Sequence, residues 1–397
     1  MSGPLGRIKV LDLSWVLAGP FASMILCDLG AEVVKVERPD GGDIARGTAP
    51  LKDGVSYYFF SINRGKKSII IDLKAERGRE LLLRLARRAD VLLENFVPGT
   101  MAKLGLSYDV IREHNPALIY AACSGFGQTG PYATKPALDI IVQGMGGIMS
   151  ITGEPGGSPV RPGTSLGDIT AGLFTAIGIL AALQERNKSG LGQMVDISML
   201  DCQVAILENA LARYFATGEV PGPLGTRHPS ATPFQAFPTK DGHIVLALSW
   251  GVEDQWALFC ATIDRVDLID DPRFETGPLR TEHHSELEPI LIEALRTKTT
   301  EEWIAEFEEI DIPCGPVNTI DKVAADPQIK AREMLVEIAH PQVGGFIVPN
   351  TPVKLSRTPG SVDKPAPELG EHTAEILSRW LGMTEGEIEQ LKEENVI

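Results

Sequence analysis

The stretch IKVLDLSWVLAGPFASMILCDLGAEVVKVE, residues 8–37, decides the fold of this chain. Residues 8–13 form an apolar, β-branched run that predicts a buried strand. A Gly-Pro turn follows, and Pro20 is well placed for the first turn of a helix that runs to about Leu29. Residues 31–37 predict the next strand. A strand, a helix and a second strand in this order are typical of a parallel sheet covered by helices.

The same alternation continues along the chain. Further strands are expected at 67–73, 91–95 and 117–123, and helices at 76–88 and near 108–114. Between Asp168 and Glu185 no residue is charged, which predicts a helix buried on most sides. A Gly- and Pro-rich linker at 218–229 separates these segments from a smaller α+β unit. The chain is expected to return to the first unit at about 327–337.

We therefore predict an α/β fold with two domains. The large domain has a mostly parallel, Rossmann-like sheet and is built from both chain ends, residues 1–217 and 331–397. The linker and the small domain occupy 218–330.

Composition excludes several classes of protein. The 397 residues include 37 basic and 53 acidic side chains, a net charge of −16, which argues against a nucleic-acid partner. The longest apolar run, 171–183, is too short to span a bilayer, and the N-terminus has no apolar signal region, so no membrane association is expected. Five cysteines without a CxxC pair favour a reducing compartment, and we predict a cytoplasmic protein. The histidines show no metal-binding spacing, so no metal is expected.

Two features in the N-terminal part of the sequence each allow a structural and a functional interpretation. The turn Val16-Leu17-Ala18-Gly19-Pro20 has one glycine and no GxGxxG motif, so it is either a simple strand–helix turn or a helix N-terminus that holds a phosphate. A basic group is either solvated surface charge or a site for an anionic ligand, and comprises Arg38, Arg46, Arg64, Lys66 and Lys67.

Two carboxylates are ambiguous in the same way. Asp168 stands at the head of the uncharged helix, where it is either the N-cap or a covalent nucleophile. Asp139 precedes an apolar stretch and is either a lone buried carboxylate or a structural cap. The residues alone favour the N-cap for Asp168.

Taken together and in order, these segments resemble the family III CoA-transferases (the CaiB/BaiF family), in the transferase branch. The resemblance covers essentially the whole chain. The similar stretches are VLDLSWVLAGP (10–20), DLGAEVVKVERPDGGD (28–43), NRGKKSIIIDLK (63–74), LLENFVPGTMAKLGL (92–106), SGFGQTGP (124–131), the Gly167-Asp168 helix start and IPCGPVN (312–318).

The resemblance implies a reaction and an assembly. Asp168 matches the family's aspartyl nucleophile, which implies an acyl–aspartyl anhydride followed by an aspartyl–CoA thioester. The implied substrates are an acyl-CoA, such as succinyl-CoA, and a carboxylic acid. CoA is part of the substrate, and no tightly bound cofactor is expected. The implied fold is a homodimer of two interlocked, ring-like subunits.

The resemblance also implies contacts for CoA. Arg38 would meet a phosphate, Lys103 stands where relatives carry Arg, and Lys135 is the basic residue nearest before Asp139. The remaining residues implied along the CoA path are Val16, Leu17, Ala18, Ile71, Asp72, Leu73, Lys74, Asn95, Phe96 and Val97.

Departures from the family pattern narrow the activity. Leu138 replaces the histidine of the racemase branch and cannot transfer a proton, which argues against racemisation. Leu17 replaces a glutamine of the formyl-CoA:oxalate branch, which argues against oxalate. Arg227 or His228 is a candidate for an acceptor carboxylate, and Asp139 is a further candidate substrate residue. A CoA-thioester isomerase or racemase, or a CoA-binding protein without catalysis, are the alternatives.

Overall fold

The computed structural model describes residues 3–248, 254–341 and 343–397 and divides the chain into two compact units. Unit 1 comprises the described residues of Met1–Ile148, Arg161–Phe215 and Pro327–Ile397, and unit 2 those of Met149–Val160 and Ala216–Asp326. The sequence prediction differs in placing 149–160 in the large domain. That segment is rich in glycine and proline, so no hydrophobic period assigns it to either unit.

The strands are β1 (Lys9–Asp12), β2 (Glu32–Glu37), β3 (Leu51–Lys52), β4 (Val55–Ser56), β5 (Lys67–Ile70), β6 (Val91–Glu94), β7 (Ile119–Ser124), β8 (Met194–Ser198), β9 (Phe234–Pro238), β10 (His243–Ala247), β11 (Cys314–Pro316), β12 (Leu335–His340) and β13 (Gly344–Pro349). The α-helices are α1 (Ala18–Asp28), α2 (Tyr57–Asn63), α3 (Glu76–Ala86), α4 (Thr100–Lys103), α5 (Tyr108–His114), α6 (Asp139–Met145), α7 (Leu166–Ser189), α8 (Met199–Ala205), α9 (Asn209–Thr217), α10 (Gln255–Thr262), α11 (Gly277–Glu282), α12 (His284–Leu295), α13 (Thr300–Glu308), α14 (Ile320–Ala325), α15 (Pro327–Ala331), α16 (Thr373–Leu381) and α17 (Glu385–Glu393).

Unit 1 is built on a six-stranded sheet in the order β5-β2-β1-β6-β7-β8, and every pair in it is parallel. The chain runs outward from β1 to β2 and β5 and then crosses to β6 on the other side of β1. This reversal is a topological switch point, where the loops after β1 and β6 diverge and leave a crevice. The predicted parallel α/β sheet is confirmed.

Helices cover both faces of this sheet, because successive strand residues point to opposite sides. Val10 packs in a cluster with α1 and α7, whereas Leu11 packs in the cluster that holds α3, α16 and α17. The second cluster buries Ile376 and Trp380 near the C-terminus. All six strands come from residues 9–198, and the far end of the chain contributes helices that cover one face.

Helix α7 is long and apolar enough, by length and composition alone, to cross a membrane. Half of its most apolar stretch is buried within the protein. Ala176, Ile179 and Leu183 belong to its buried side. A core helix passes the same test, so the helix is weak evidence for a membrane span.

Several parts of unit 1 were not predicted from the sequence, among them α2, α6 and the hairpin β12–β13. Helix α6 carries no strong amphipathic pattern, and Ile140 and Ile141 on it are about half exposed. The antiparallel hairpin β12–β13 lies where only a return of the chain was predicted. Its Phe346 packs with Phe59 and Phe60 near α2, so this hairpin owes its place to tertiary contacts rather than to a local turn signal.

Unit 2 contains a three-stranded antiparallel sheet in the order β11-β10-β9, beside helices α10 to α13. Its core is aromatic, and the Phe307 ring stacks on both Phe259 and Trp303. A capping box between Thr299 and Glu302 begins α13. The sequence of residues 252–263 predicts a helix; its first two positions lie outside the described residues, and the described helix is Gln255–Thr262.

A buried charged cluster lies beneath the turn between β1 and α1. The Asp12 carboxylate accepts hydrogen bonds from Lys66 Nζ at 3.1 Å, from Ser23 Oγ at 2.5 Å and from the Ser14 hydroxyl. Burial alone would raise the pKa of Asp12, but Lys66 and Lys35 lower it to about 2. Burial lowers the pKa of Lys66 to about 8. The Asp12 carboxylate and the Lys66 ammonium group are both fully buried, and the fold tolerates them because each is paired with the other.

The same cluster continues under the next loop. Lys35 Nζ lies 2.9 Å from Asp43 Oδ2 and donates to the Ser14 carbonyl at 2.6 Å. Glu37 pairs with Arg46 at 2.6 Å. These contacts join the carboxyl ends of β1 and β2 to the loops that follow them.

Neither interpretation of the basic group is correct for most of its members. Arg64 is buried against Asp28 at 2.6 Å, Lys66 is buried against Asp12, and Arg46 packs against Glu37. Lys67 is partly exposed in an ion pair with Glu375. These four residues are engaged in ion pairs within the chain, which neither interpretation predicted, and Arg38 is the exposed exception. Their acidic partners lie between 9 and 308 residues away, beyond the reach of local sequence patterns.

Removing one member of the buried cluster should be costly. Asp12→Ala leaves Lys66 without its carboxylate and is expected to lower the free energy of unfolding by ~3–5 kcal/mol. Glu375→Ala breaks the partly exposed pair with Lys67 and should cost at most ~1 kcal/mol. Urea unfolding of both variants checks the difference, and equal losses would contradict it.

Candidate active site

The crevice at the topological switch point lies between the loops that follow β1 and β6. Asn95 joins these loops: its Oδ1 accepts from the Trp15 N–H at 3.0 Å, and its Nδ2 donates to the Trp15 carbonyl at 2.8 Å. The rings of Trp15 and Phe96 meet edge to face with centroids 5.5 Å apart. Crevices of this kind are where open α/β sheets bind ligands, which makes this edge the candidate site.

Most residues expected to line CoA follow four neighbouring strands. Residues 16–18 follow β1, Arg38 follows β2, residues 71–74 follow β5 and residues 95–97 follow β6. The strands are parallel, so their carboxyl ends lie at one edge of the sheet. The structure therefore brings these segments to the same edge, and their contact with CoA stays a prediction.

Val16 has an unusual backbone in this crevice. Its φ is +65°, in the left-handed region that a β-branched residue rarely adopts. Leu17 is the N-cap of α1, and Ala18 begins the helix, with both side chains buried. The Val16 N–H donates to Asp43 Oδ1 at 3.2 Å.

Arg38 is exposed at the same edge. Its Nε donates to the Gly42 carbonyl at 2.9 Å, and its guanidinium lies 5.7 Å from the centroid of the Trp15 ring. This geometry leaves the other guanidinium nitrogens available to an anion, as a phosphate contact would require.

Three further predicted cations are exposed. Lys74 ends the 71–74 segment, which is anchored where the Asp72 N–H donates to the Val396 carbonyl at 2.8 Å. Lys103 ends α4. Lys135 Nζ lies 3.9 Å above the ring of Tyr132.

Asp168 lies in the first turn of α7, and the N-cap hypothesis for it is wrong. The N-cap is Ser165, and Asp168 comes three residues later. In the part of the chain that the structure describes, no donor is hydrogen-bonded to the Asp168 carboxylate. The side chain is half-buried. Asp168 is thus a carboxylate without a capping partner, at the N-terminal end of a 24-residue helix.

A close helix contact brings the start of α7 beside the β1–α1 turn. A Cβ on Gly172 would lie 2.8 Å from the Ala18 carbonyl oxygen and 3.0 Å from the Phe21 ring. Only glycine allows this approach without displacing backbone. The first turns of α7 therefore pack against the first turn of α1, next to the segment predicted to line CoA.

The first turn of α7 is anchored by Asp139. Its Oδ1 accepts from the Gly167 N–H at 2.9 Å, and its Oδ2 accepts from Arg161 Nη2 and Gln143 Nε2, both at 2.8 Å. Arg161 also donates to Ser165 Oγ at 3.0 Å. Asp139 is therefore a structural cap, as one of its two sequence interpretations proposed, but for α7 rather than for its own helix.

The charge of Asp168 is set by burial and by two neighbours. Burial, and then the carboxylate of Asp139, raise the pKa of Asp168 to about 7, while Arg161 opposes them. A carboxylate with this pKa is a stronger base than an ordinary aspartate, and about half of it is ionised at neutral pH. The group is thus less ionised at neutral pH than its usual pKa would imply.

Two residues near Asp168 were not selected from the sequence. Arg161 is 22 residues from its partner Asp139, in a Gly- and Pro-rich loop without periodicity. Tyr58 on α2 is close enough that, after burial, Asp168 and Asp43 help to raise its pKa to about 12. The only sequence signal for Arg161 is that an arginine precedes the start of a helix that carries a carboxylate.

The position of Leu138 is also unlike that of a residue that transfers a proton. It is the N-cap of α6, and its side chain is 72% exposed. Within the ranges described, no group of three or more His, Cys, Asp or Glu side chains is arranged to hold a metal ion.

Arg227 and His228 belong to unit 2. Arg227 lines a cleft of about 430 Å³ together with Gln235, His284 and Glu288. The His228 ring stacks on Phe234 with centroids 4.8 Å apart. Arg227 is half-buried, and it has no carboxylate within ion-pair distance in the described part of the chain.

Comparisons with known proteins agree on one group. The model of "CoA-transferase family III" matches residues 5–373. The chain is 41% identical to the succinyl-CoA:glutarate CoA-transferase of Mus musculus, over 98% of this chain and 89% of that protein. It is also 41% identical to the acetyl-CoA:oxalate CoA-transferase of Acetobacter aceti, over 94% and 95%. A crystal structure of a CaiB/BaiF family protein from Brucella suis matches with a TM-score of 0.85 and 39% identity, over 96% of this chain and all of that one.

The raised pKa of Asp168 predicts a pH-dependent effect on stability. The unfolded chain ionises this group near its usual pKa of 3.8, whereas the folded protein keeps the proton to about pH 7. The stability from this bound proton is present at low pH and is lost as the pH rises through 7. Asp168→Asn should therefore be more stabilising at pH 8 than at pH 5, by at least ~1 kcal/mol.

Urea unfolding of the ligand-free protein at both pH values measures this difference. Asp201→Asn, in the exposed first turn of α8, is the matched control for a lost charge at a helix N-terminus. A gain for Asp168→Asn that is the same at pH 5 and pH 8 would contradict the expectation.

Proposed function

The chain belongs to CoA-transferase family III, and we propose that Asp168 is the residue to which CoA becomes covalently attached during the transfer. The observation that carries the proposal is the position of this carboxylate: it lies in the first turn of α7, without a capping partner among the described residues, beside the crevice at the sheet edge. A carboxylate that only capped its helix would accept a backbone N–H bond.

The first half of the reaction loads CoA onto the enzyme. An ionised Asp168 oxygen attacks the thioester carbon of the donor acyl-CoA, a C–O bond forms, and the C–S bond breaks. CoA leaves as a thiolate, and Asp168 carries the acyl group as a mixed anhydride. The thiolate then attacks the Asp168 carbonyl carbon, and the donor acid leaves as a carboxylate. Asp168 is now a thioester of CoA.

The second half reverses these bonds with a different acid. The acceptor carboxylate attacks the aspartyl thioester, and CoA again leaves as a thiolate. The thiolate attacks the acyl carbon of the new anhydride, which gives the product acyl-CoA and frees Asp168. Each exchange links activated acyl groups of similar energy, so no ATP is needed.

The residues around Asp168 prepare it for this chemistry. Burial and Asp139 make the carboxylate more basic, which favours attack on a thioester carbon. The hydrogen bond from the Gly167 N–H to Asp139 fixes the turn that carries the nucleophile. Arg161 holds Asp139 in place and limits the rise in the pKa of Asp168. Positioning and exclusion of water are the protein's main contributions, because water would hydrolyse the anhydride.

We propose succinyl-CoA as a donor and a dicarboxylic acid as the acceptor. The relatives named above are a succinyl-CoA:glutarate and an acetyl-CoA:oxalate CoA-transferase, and both acceptor names denote dicarboxylates. The second relative also weakens the argument from Leu17 against oxalate, because a protein with oxalate in its name is just as identical to this chain.

A homodimer and a cytoplasmic location are further parts of the proposal. Helix α7 exposes a cluster of apolar side chains that a second copy of the chain would cover, and Leu173, Phe174 and Ile177 are between 37% and 58% exposed. Exposed apolar groups clustered in this way are typical of protein interfaces. The five cysteines are free thiols, which suits a reducing compartment.

The covalent step predicts a mass change at one peptide. After incubation with succinyl-CoA and no acceptor, the intact protein should gain the mass of CoA less one water, and digestion should locate the adduct on the peptide that contains Asp168. Asp168→Asn should remove it. Asp201→Asn, another acid in a helix first turn, should retain it. CoA binding without any adduct, or an adduct on Asp168→Asn, would overturn the proposal.

The unpaired guanidinium of Arg227 predicts selectivity for dicarboxylates. If Arg227 binds the second carboxylate of the acceptor, Arg227→Ala should raise the KM for glutarate or succinate by about tenfold or more. The KM for a monocarboxylate such as butyrate should not change. His228→Ala is measured in parallel, and Arg265→Ala, in an ion pair with Asp267, is the control for lost charge in unit 2. Unchanged dicarboxylate kinetics in Arg227→Ala would refute this role.

A further inference from the structure

The left-handed backbone of Val16 is held by contacts on both sides. Before it, the Trp15 peptide groups are paired in both directions with the Asn95 side chain, at 3.0 Å and 2.8 Å. At Val16 itself, the N–H donates to Asp43 Oδ1 at 3.2 Å. A β-branched residue at φ +65° is strained, and such a residue persists only where its surroundings enforce it.

Asp43 is itself fixed from two further directions. Its Oδ1 also accepts from the Ala45 N–H at 2.9 Å, which begins a short 3₁₀ turn, and its Oδ2 lies 2.9 Å from Lys35 Nζ. The Asp43 and Lys35 side chains are each about 1% exposed. The carboxylate that holds the Val16 N–H is thus part of the buried charged cluster and cannot swing away into solvent.

The contact also joins two loops of the candidate site. Asp43 ends the segment that follows β2, and Arg38 at the start of that segment donates to the Gly42 carbonyl. Val16 belongs to the loop that follows β1. The Val16–Asp43 hydrogen bond therefore connects the loop that carries Arg38 with the segment that is predicted to line CoA.

We propose that Asp43 is a positioning residue for CoA binding, which acts by holding Val16 in its left-handed conformation. Without the Asp43 carboxylate, Val16 relaxes towards negative φ, and the backbone of residues 16–18 turns away from the crevice. Asp43 does not need to touch CoA. The inference rests on the proposed function insofar as residues 16–18 line CoA.

A double-mutant cycle with Val16→Gly separates this role from a structural one. Glycine adopts positive φ without strain, so a turn with glycine at position 16 needs no enforcement. Asp43→Ala should weaken CoA binding, measured by calorimetry with free CoA, by about tenfold in the wild-type background. In the Val16→Gly background the same change should weaken it by less than about threefold. Each loss is measured from the affinity of its own background, so a direct contact between the Val16 side chain and CoA cancels from the comparison.

Asp43→Ala also removes the carboxylate that pairs with Lys35, so the test needs further variants. Asp43→Asn keeps an oxygen for the Val16 N–H and should bind CoA better than Asp43→Ala. If Asp43→Ala does not fold, the cycle is run with Lys35→Met and Asp43→Ala combined, which removes both buried charges, and the same rescue by Val16→Gly is expected.

Equal losses in both backgrounds would overturn the inference, because a residue needed only to pair Lys35 would be needed equally in each. The cycle uses free CoA and requires no turnover, so either result leaves the nucleophilic role of Asp168 standing. Failure of the wild-type protein to bind CoA would overturn this inference and the proposed function together.

Discussion

The structure depends on a set of charges that have no access to water. Asp12, Lys35, Asp43 and Lys66 lie beneath the carboxyl ends of β1 and β2, and each is between 0% and 1% exposed. Isolated charges in such a place would be prohibitively unstable, so the geometry of the loops above them is restricted to arrangements in which every charge is paired. The loops that follow β1 and β2 are consequently as well fixed as the strands. Loops at the edge of a parallel sheet ordinarily lack this rigidity.

The candidate nucleophile is supported in a different way. The Asp168 carboxylate accepts no hydrogen bond from the described residues, and its position comes from the turn that carries it, which Asp139 and Arg161 anchor. The same Asp139 carboxylate opposes ionisation of Asp168. One residue thus fixes the geometry of the nucleophile and raises its basicity, and Arg161 keeps the effect small enough for a substantial ionised fraction at neutral pH.

Sequence reasoning succeeded where a pattern is local. The apolar runs around Val10, Val33 and Leu92 predict strands because each run is buried on both faces of the sheet. Sequence reasoning failed where the partner of a residue is distant in the chain. Arg161 is 22 residues from Asp139 and Lys67 is 308 residues from Glu375, and no local pattern indicates either pair. The N-cap hypothesis for Asp168 failed by three residues, because Ser165 begins the helix earlier than the uncharged stretch suggests. Asp139 was recognised as a possible cap, but the helix that it caps could not be identified from spacing.

The C-terminal helices have a consequence for synthesis of the protein. Ile376, Leu377, Trp380 and Ile388 are almost completely buried against the face of the sheet that carries Leu11 and Ile69. The six strands leave the ribosome long before these helices do, because the sheet ends at Ser198. During that interval α3 covers part of this face, but the part that α16 and α17 will bury is still exposed. Exposed apolar surface of this kind is what chaperones bind and what aggregates form on. Translation of residues 373–393 is therefore part of folding, and a ribosome that stops before them releases a large unit with an incompletely covered sheet.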